Sequence, residues 1–177
     1  MRQFAMTSAI LLLLPVWAAA QGAAPQGKLD GYSFLAPSVG GGQNNAVDTG
    51  LGGEVFFRKR FGAEAEVSYY GPHWAFCANC DNSGMGVGSL DLIYRRPLTG
   101  SRMEPFAVGG YSGYSVGGGS GHGYSSGYNL GGGVNVWFRR RVALRLGVRY
   151  QGNAGNIVQF PYFVPHFVAF RIGVTFR

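Results

Sequence analysis

The C-terminal part of the chain alternates apolar residues with small or charged ones at a period of two. In 142–150, Val, Leu, Leu, Val and Tyr occupy one parity, while Ala, Arg, Gly and Arg occupy the other. The segment 168–176 repeats this, with Val, Phe, Ile, Val and Phe on one parity. Because side chains alternate across a strand, each segment predicts a β-strand with one apolar face and one small or charged face.

Further segments of the same period bring the predicted number of strands to eight. The regular ones are 53–57, 63–69, 89–95 and 133–138, and the less regular ones are 28–36 and 104–114. Three connections are short, near 58–62, 96–103 and 139–141, and four are long, at 37–50, 71–85, 115–127 and 152–165. Short turns at one end and long loops at the other are typical of outer-membrane barrels. The pattern therefore predicts an all-β fold, an eight-stranded antiparallel transmembrane β-barrel in an up-and-down meander.

Aromatic residues on the apolar parity mark both ends of the predicted strands. Those at the short-turn end are Phe57, Tyr94, Phe106, Phe138 and Phe176, and those at the long-loop end are Tyr69 and Tyr150. Two aromatic girdles around an aliphatic band are typical of a membrane interface. A soluble β-domain shares the alternation, but it needs no such bands and leaves edge strands to protect.

Composition supports a strand-rich fold. The chain has 31 glycines in 177 residues, more than twice the usual fraction of about 7%. Glycine inside a helix costs roughly 1 kcal/mol relative to alanine, which argues against a helical domain. A hydrophobic content of 46% is too high for a disordered chain.

The N-terminus has the features of a secretory signal peptide. Arg2 precedes a short apolar run that ends in Ala18, Ala19 and Ala20. The run is short for a transmembrane anchor, which requires about 20 apolar residues. We therefore expect Sec-type export, with a signal peptide over 1–20, a short lead-in over 21–27 and the barrel over 28–177.

The segment 28–177 resembles the small eight-stranded outer-membrane barrels of the OmpA/OmpX type, without a periplasmic domain. The ending Arg171-Ile172-Gly173-Val174-Thr175-Phe176-Arg177 is similar to the C-terminal signal of such barrels. It departs from that signal by closing on Arg177 instead of on the aromatic residue. The resemblance implies a location in the outer membrane of a Gram-negative-type bacterium, and recognition of the last strand by the barrel-assembly machinery.

The polar parity collects charges of opposite sign on opposite sides of the predicted barrel. The acidic residues lie on strands 2–4 and the arginines on strands 7–8; they are Glu54, Glu64, Glu66, Asp91, Arg145, Arg149 and Arg171. An eight-stranded interior is only wide enough for side chains to fill, so the two walls are expected to meet as ion pairs. Two functions remain open: a structural plug, which we favour, and a narrow pore or small-molecule conduit gated by the same pairs.

The second predicted loop contains Cys77 and Cys80 in a C-x-x-C arrangement. In an exported chain this favours a disulfide, with a redox pair or a metal site that includes His73 as weaker alternatives. His122 and His166 also lie in or beside loops, without the spacing of a catalytic set. We therefore predict no enzyme, no cofactor and no metal, and a lipid-modifying enzyme is the least favoured alternative.

The predicted loops and turns suggest different partners. The segment 115–127 is rich in Gly, Ser and Tyr, typical of a flexible loop or an adaptable binding surface, and 152–165 is unusually apolar. The ligand of these loops is not identified by sequence. Basic residues cluster at the short turns, as Arg58-Lys59-Arg60, Arg95-Arg96 and Arg139-Arg140-Arg141. Contact with anionic lipid head groups explains these clusters better than nucleic-acid binding does. Taken with the predicted loops, the sequence predicts a membrane-embedded protein with a structural or surface-interaction role.

Overall fold

The computed structural model describes residues 29–40, 43–71, 84–118, 121–154 and 166–177. Cys77, Cys80, His73 and the segments 1–20 and 21–27 lie outside these residues. The described part forms eight strands. They are β1 Leu29–Gly40, β2 Gln43–Phe56, β3 Phe61–Gly71, β4 Met85–Arg95, β5 Met103–Gly118, β6 Gly121–Arg139, β7 Val142–Asn153 and β8 Phe167–Phe176.

The strands close into a barrel. Each strand pairs antiparallel with the next one in the chain, and β8 pairs antiparallel with β1. Gly31 lies opposite Phe176 in this closing ladder. The prediction of an eight-stranded antiparallel up-and-down barrel is therefore confirmed. Among the described residues, no helix has the length and apolarity needed to cross a membrane.

Side chains alternate between the interior and the exterior of the barrel, as the period of two predicts. Along β3, Glu64 and Glu66 are buried, whereas Val67, the next residue of the same strand, is exposed. The two outward leucines of β4, Leu90 and Leu92, are 68% and 69% exposed. The exterior is thus apolar and the interior charged, the reverse of a soluble protein.

Two of the four predicted long loops are wrong. Most of 37–50 belongs to β1 and β2, which pair up to Gly40 opposite Gln43, and most of 115–127 belongs to β5 and β6, which pair up to Gly118 opposite Gly121. Pro37 does not interrupt β1, because no pair with β8 forms between Leu35 and Ser38, where a proline would lack its donor.

Candidate functional site: the charged interior of the barrel

The middle of the interior is organised around Arg145 and Arg149 of β7. Arg145 binds Glu54 at 2.5 Å and Glu64 at 3.0 Å. Arg149 pairs with Glu64 as well, and lies 2.9 Å from Glu66 and 3.0 Å from Asp91. The two arginines therefore bridge from β7 to β2, β3 and β4 across the barrel.

Towards the long-loop end, Arg171 of β8 continues this network. Its guanidinium lies 2.6 Å from Glu66 and 3.2 Å from Asp48 of β2. Tyr32 of β1 donates a hydrogen bond to the same Glu66 at 2.7 Å. Glu66 thus receives hydrogen bonds from β8 and β1 in addition to its ion pair with β7.

A second group of ion pairs lies at the short-turn end. Arg95 of β4 binds Asp30 at 2.5 Å, pairs with Glu54, and lies 3.3 Å from Glu104 of β5. Arg177, directly after β8, binds the same Asp30 at 3.1 Å and Glu104 at 3.3 Å. Because Glu54 bonds both Arg95 and Arg145, this group is continuous with the central one.

Arg177 lies outside the strands, and its environment affects its protonation. Partial burial lowers the pKa of its guanidinium, but hydrogen bonds and the negative charges of Asp30 and Glu104 outweigh that effect. The pKa of Arg177 therefore lies above its ordinary value, and the residue stays charged.

The whole network contains seven carboxylates and five guanidinium groups. All seven sequence-predicted charges take part, together with five that the sequence analysis missed: Asp30, Asp48, Arg95, Glu104 and Arg177. Arg95 was grouped with the surface turns, which is wrong, because it is 2% exposed and faces inward. The sequence signal for its inward position is that Arg95 lies four residues after Asp91 on the same strand and therefore on the same face.

Aromatic rings fill the space beside the guanidinium groups. The Arg145 guanidinium carbon lies 4.2 Å from the ring centre of Tyr32 and 4.0 Å from that of Phe106. Arg171 lies 4.1 Å from Phe34 in the same way. These separations fit cation–π interactions, so Arg145 and Arg171 each contact carboxylates at the edge of the guanidinium group and an aromatic ring at its face.

The position of Phe106 corrects the predicted aromatic girdle. Its side chain faces the interior and is 9% exposed, because on β5 it shares parity with Glu104 and Val108. A methyl group added at Gly147 would lie 3.5 Å from the end of its ring, which is an ordinary van der Waals distance. The phenyl group thus fills interior space beside β7.

An uncharged polar layer adjoins the network on the side of β5 and β6. Asn129 donates hydrogen bonds to Asp91 at 2.6 Å and to Ser112 at 2.9 Å. Ser112 in turn donates to Gln151 at 2.9 Å, and its hydroxyl lies 2.9 Å from that of Ser89. These side chains are all buried, and within the described residues the amide oxygen of Asn129 and the amide nitrogen of Gln151 have no hydrogen-bond partner.

Towards the long-loop end, an apolar cluster follows the charged layers. The rings of Tyr70 and Phe167 lie 4.4 Å apart, and Met85 and Ala169 are fully buried beside them. Deeper in the interior, a cavity lined by Phe106, Arg145, Arg149 and Arg171 measures about 10 Å³. That leaves room for a single water molecule at most, so side chains fill this part of the interior.

Solved structures share this architecture. The N-terminal β-barrel domain of OprF from Pseudomonas aeruginosa gives a TM-score of 0.62 at 16% identity, covering 85% of this chain and 97% of that chain. Neisserial surface protein A (NspA) gives 0.63 at 14% identity, covering 84% and 94%. Ail, the attachment invasion locus protein of Yersinia pestis, gives 0.51 at 8% identity, covering 84% and 97%. The fold is that of the small outer-membrane β-barrels. No protein-family model and no curated protein matches the chain.

In this outer-membrane barrel fold, the remaining predicted girdle residues lie on the exterior parity. Phe57 and Phe138 are exposed at the short-turn end, where Tyr94 contacts Phe61 with ring centres 5.0 Å apart. Phe176 has the same outward parity at the end of β8. At the long-loop end, Tyr69 is exposed and Tyr150 lies 6.1 Å from Tyr128.

Among the three histidines considered in the sequence analysis, His166 lies within the described residues, at the long-loop rim of the barrel. His166 Nδ1 is 3.0 Å from the Tyr150 hydroxyl, and the two rings stack. His122 belongs to β6, and its side chain lies outside the described residues. Within the described ranges, no group of three His, Cys, Asp or Glu side chains has the arrangement of a metal site.

Proposed function

We propose that this chain is an integral outer-membrane protein with a structural or surface-interaction role, whose charged interior acts as a plug. The observation that carries the proposal is the inverted distribution of polarity. The exterior of the strands exposes large aliphatic side chains such as Leu90, Leu130 and Ile172, while the carboxylates and arginines of the network face inward. Closure also pairs β1 with β8, which removes the open sheet edges that a lipid environment excludes.

The proposed plug rests on three successive barriers along the interior. The short-turn end is crossed by Arg95 and Arg177 with their carboxylates, the middle by Arg145 and Arg149, and the long-loop end by the apolar cluster around Phe167. Opening a water path requires separating several buried ion pairs, each of which then leaves an uncompensated charge. We therefore expect a non-conducting barrel rather than a pore.

We further propose the remaining partners from the same arrangement. Membrane lipid surrounds the exterior, and the barrel-assembly machinery recognises β8 during insertion after Sec-type export. The long-loop end is available for a surface ligand, and we infer no enzymatic activity and no cofactor. The disulfide between Cys77 and Cys80 stays a prediction for the second predicted loop.

The location in a bilayer is tested by refolding the protein with and without phospholipid vesicles. We expect β-structure, and a folded species that migrates differently from the heated one on a gel, only when lipid or detergent is present. A stable, monomeric folded state in plain buffer would contradict the membrane assignment, because all eight strands expose large apolar side chains and soluble monomers rarely expose large contiguous apolar patches.

The plug is tested by single-channel recording in planar bilayers. The folded protein is expected to be silent, and Arg58→Gln, which alters an exposed turn residue, serves as the matched control for Arg145→Gln. Discrete openings in the unaltered protein that change with Arg145→Gln but not with Arg58→Gln would replace the plug by a gated pore.

A further inference from the structure

In the described part of the barrel, negative charge is confined to the interior, whereas positive charge lies both inside and outside. All seven described carboxylates lie in the interior network. Of the described lysines and arginines, five belong to that network and eight are exposed. The eight exposed cations are Arg58, Lys59, Arg60, Arg96, Arg102, Arg139, Arg140 and Arg141.

All eight exposed cations lie at one end of the barrel. They occupy the β2–β3, β4–β5 and β6–β7 connections and the last residue of β6, which we call the cationic turns. None of them forms an ion pair with a described carboxylate, because the five interior arginines already engage those groups. The described protein thus provides no counter-charge for this rim.

Exposed aromatic side chains separate the cationic turns from the aliphatic band. Phe57 and Phe61 are 63% and 49% exposed and flank Arg58 to Arg60, and Phe138 is 54% exposed directly before Arg139. Aromatic rings settle at the interface between hydrocarbon and head groups. The cations that neighbour these rings in the chain then lie at the height of the lipid phosphates.

We propose that the cationic turns bind the phosphate head groups of anionic phospholipids in the leaflet that faces the short turns. This inference rests on the proposed membrane location and adds a lipid specificity to it. Arginine suits the role, because its planar fork of donors matches phosphate oxygens in a bidentate arrangement. The adjoining exposed rings favour a lipid surface over a soluble polyanion, because a soluble polyanion offers no apolar region for these rings to contact.

The test measures lipid selectivity of the folded protein in mixed vesicles of phosphatidylcholine and phosphatidylglycerol. Spin-labelled derivatives of both lipids report the ratio of their association with the barrel surface. A neutral variant replaces six turn cations by glutamine: Arg58→Gln, Lys59→Gln, Arg60→Gln, Arg139→Gln, Arg140→Gln and Arg141→Gln. A charge-preserving control replaces the five arginines among them by lysine.

We expect the unaltered protein and the lysine control to prefer phosphatidylglycerol, and the neutral variant to lose the preference. A cation near the membrane surface contributes about a fivefold preference for anionic lipid, and high salt screens it. Equal association of the two lipids with the unaltered protein would overturn the proposal. So would saturable binding of dextran sulfate without lipid selectivity, which would assign the turns to a soluble polyanion.

The same experiment separates this inference from the membrane location on which it rests. The gel shift of the folded barrel reports insertion for each variant before the lipids are compared. Inserted protein without selectivity overturns the lipid site alone, whereas failure of the unaltered protein to insert overturns the membrane location as well.

Discussion

Replacing Arg149 by methionine removes the most central positive charge of the interior while retaining most of the side-chain volume. Arg149 is 2% exposed and pairs with Glu64, Glu66 and Asp91. After the replacement, Glu64 keeps Arg145 and Glu66 keeps Arg171, but Asp91 loses the one cation that binds it among the described residues. Asp91 retains the hydrogen bond from Asn129.

The expected loss follows from this uncompensated carboxylate. Removing one partner of a buried ion pair costs about 3–5 kcal/mol. We therefore expect Arg149→Met to lower the free energy of unfolding by that amount, measured by urea titration in phospholipid vesicles with gel mobility and tryptophan fluorescence as readouts. Arg58→Met, on an exposed turn, is the matched control and is expected to stay within about 0.5 kcal/mol.

A double variant distinguishes the charge effect from a packing defect. Adding Asp91→Asn removes the uncompensated charge and keeps an acceptor for Asn129, so Arg149→Met with Asp91→Asn is expected to recover at least about 1 kcal/mol relative to Arg149→Met alone. If Arg149→Met is no more destabilising than Arg58→Met, or if the two interior substitutions are additive, the ion pairs do not stabilise the barrel and the reasoning fails.

Two further substitutions test how the interior is filled and closed. Gly52→Val places a Cβ 2.4 Å from the ring of Tyr32, so it is expected to destabilise the protein by about 1–3 kcal/mol in the same urea titration. A Cβ added at Gly88 has no atom within 4 Å, so the control Gly88→Val is expected to be nearly neutral. Equal effects of the two substitutions would contradict the packing argument. Arg177→Gln removes two ion pairs at the short-turn end, those with Asp30 and Glu104, and is expected to cost about 1–2 kcal/mol. Arg141→Gln is expected to cause no measurable loss, and a loss of equal size in both variants would show that only total charge matters.

Alternation along the strands was sufficient to predict the barrel and which residues face inward on its regular strands. The parity of β3 and β7 placed Glu64 and Arg149 on the interior before any contact was known. Their pairing followed because a closed eight-stranded sheet brings those strands opposite each other. These inferences succeeded because strand periodicity is a local property of the chain.

The errors arose where local signals conflict with the closed sheet. Phe106 resembles a membrane-facing aromatic by composition, but its direction is set by the register of β5 with its neighbouring strands. Asp48 was missed because the turn-like residues around it hid a strand. Such positions depend on partners distant in sequence, so no window of a few residues identifies them.

The interior network also has a consequence for the order of folding. Several of its ion pairs join residues far apart in the chain, with a separation of 147 positions from Asp30 to Arg177 and of 105 from Glu66 to Arg171. These pairs form only when β8 reaches the first strands of the barrel, so they stabilise the closed ring and not its partly formed precursors. A strand that slipped by one residue would turn its carboxylates towards the apolar exterior. The network therefore stabilises the ring with the correct strand register relative to rings in which a strand is misaligned.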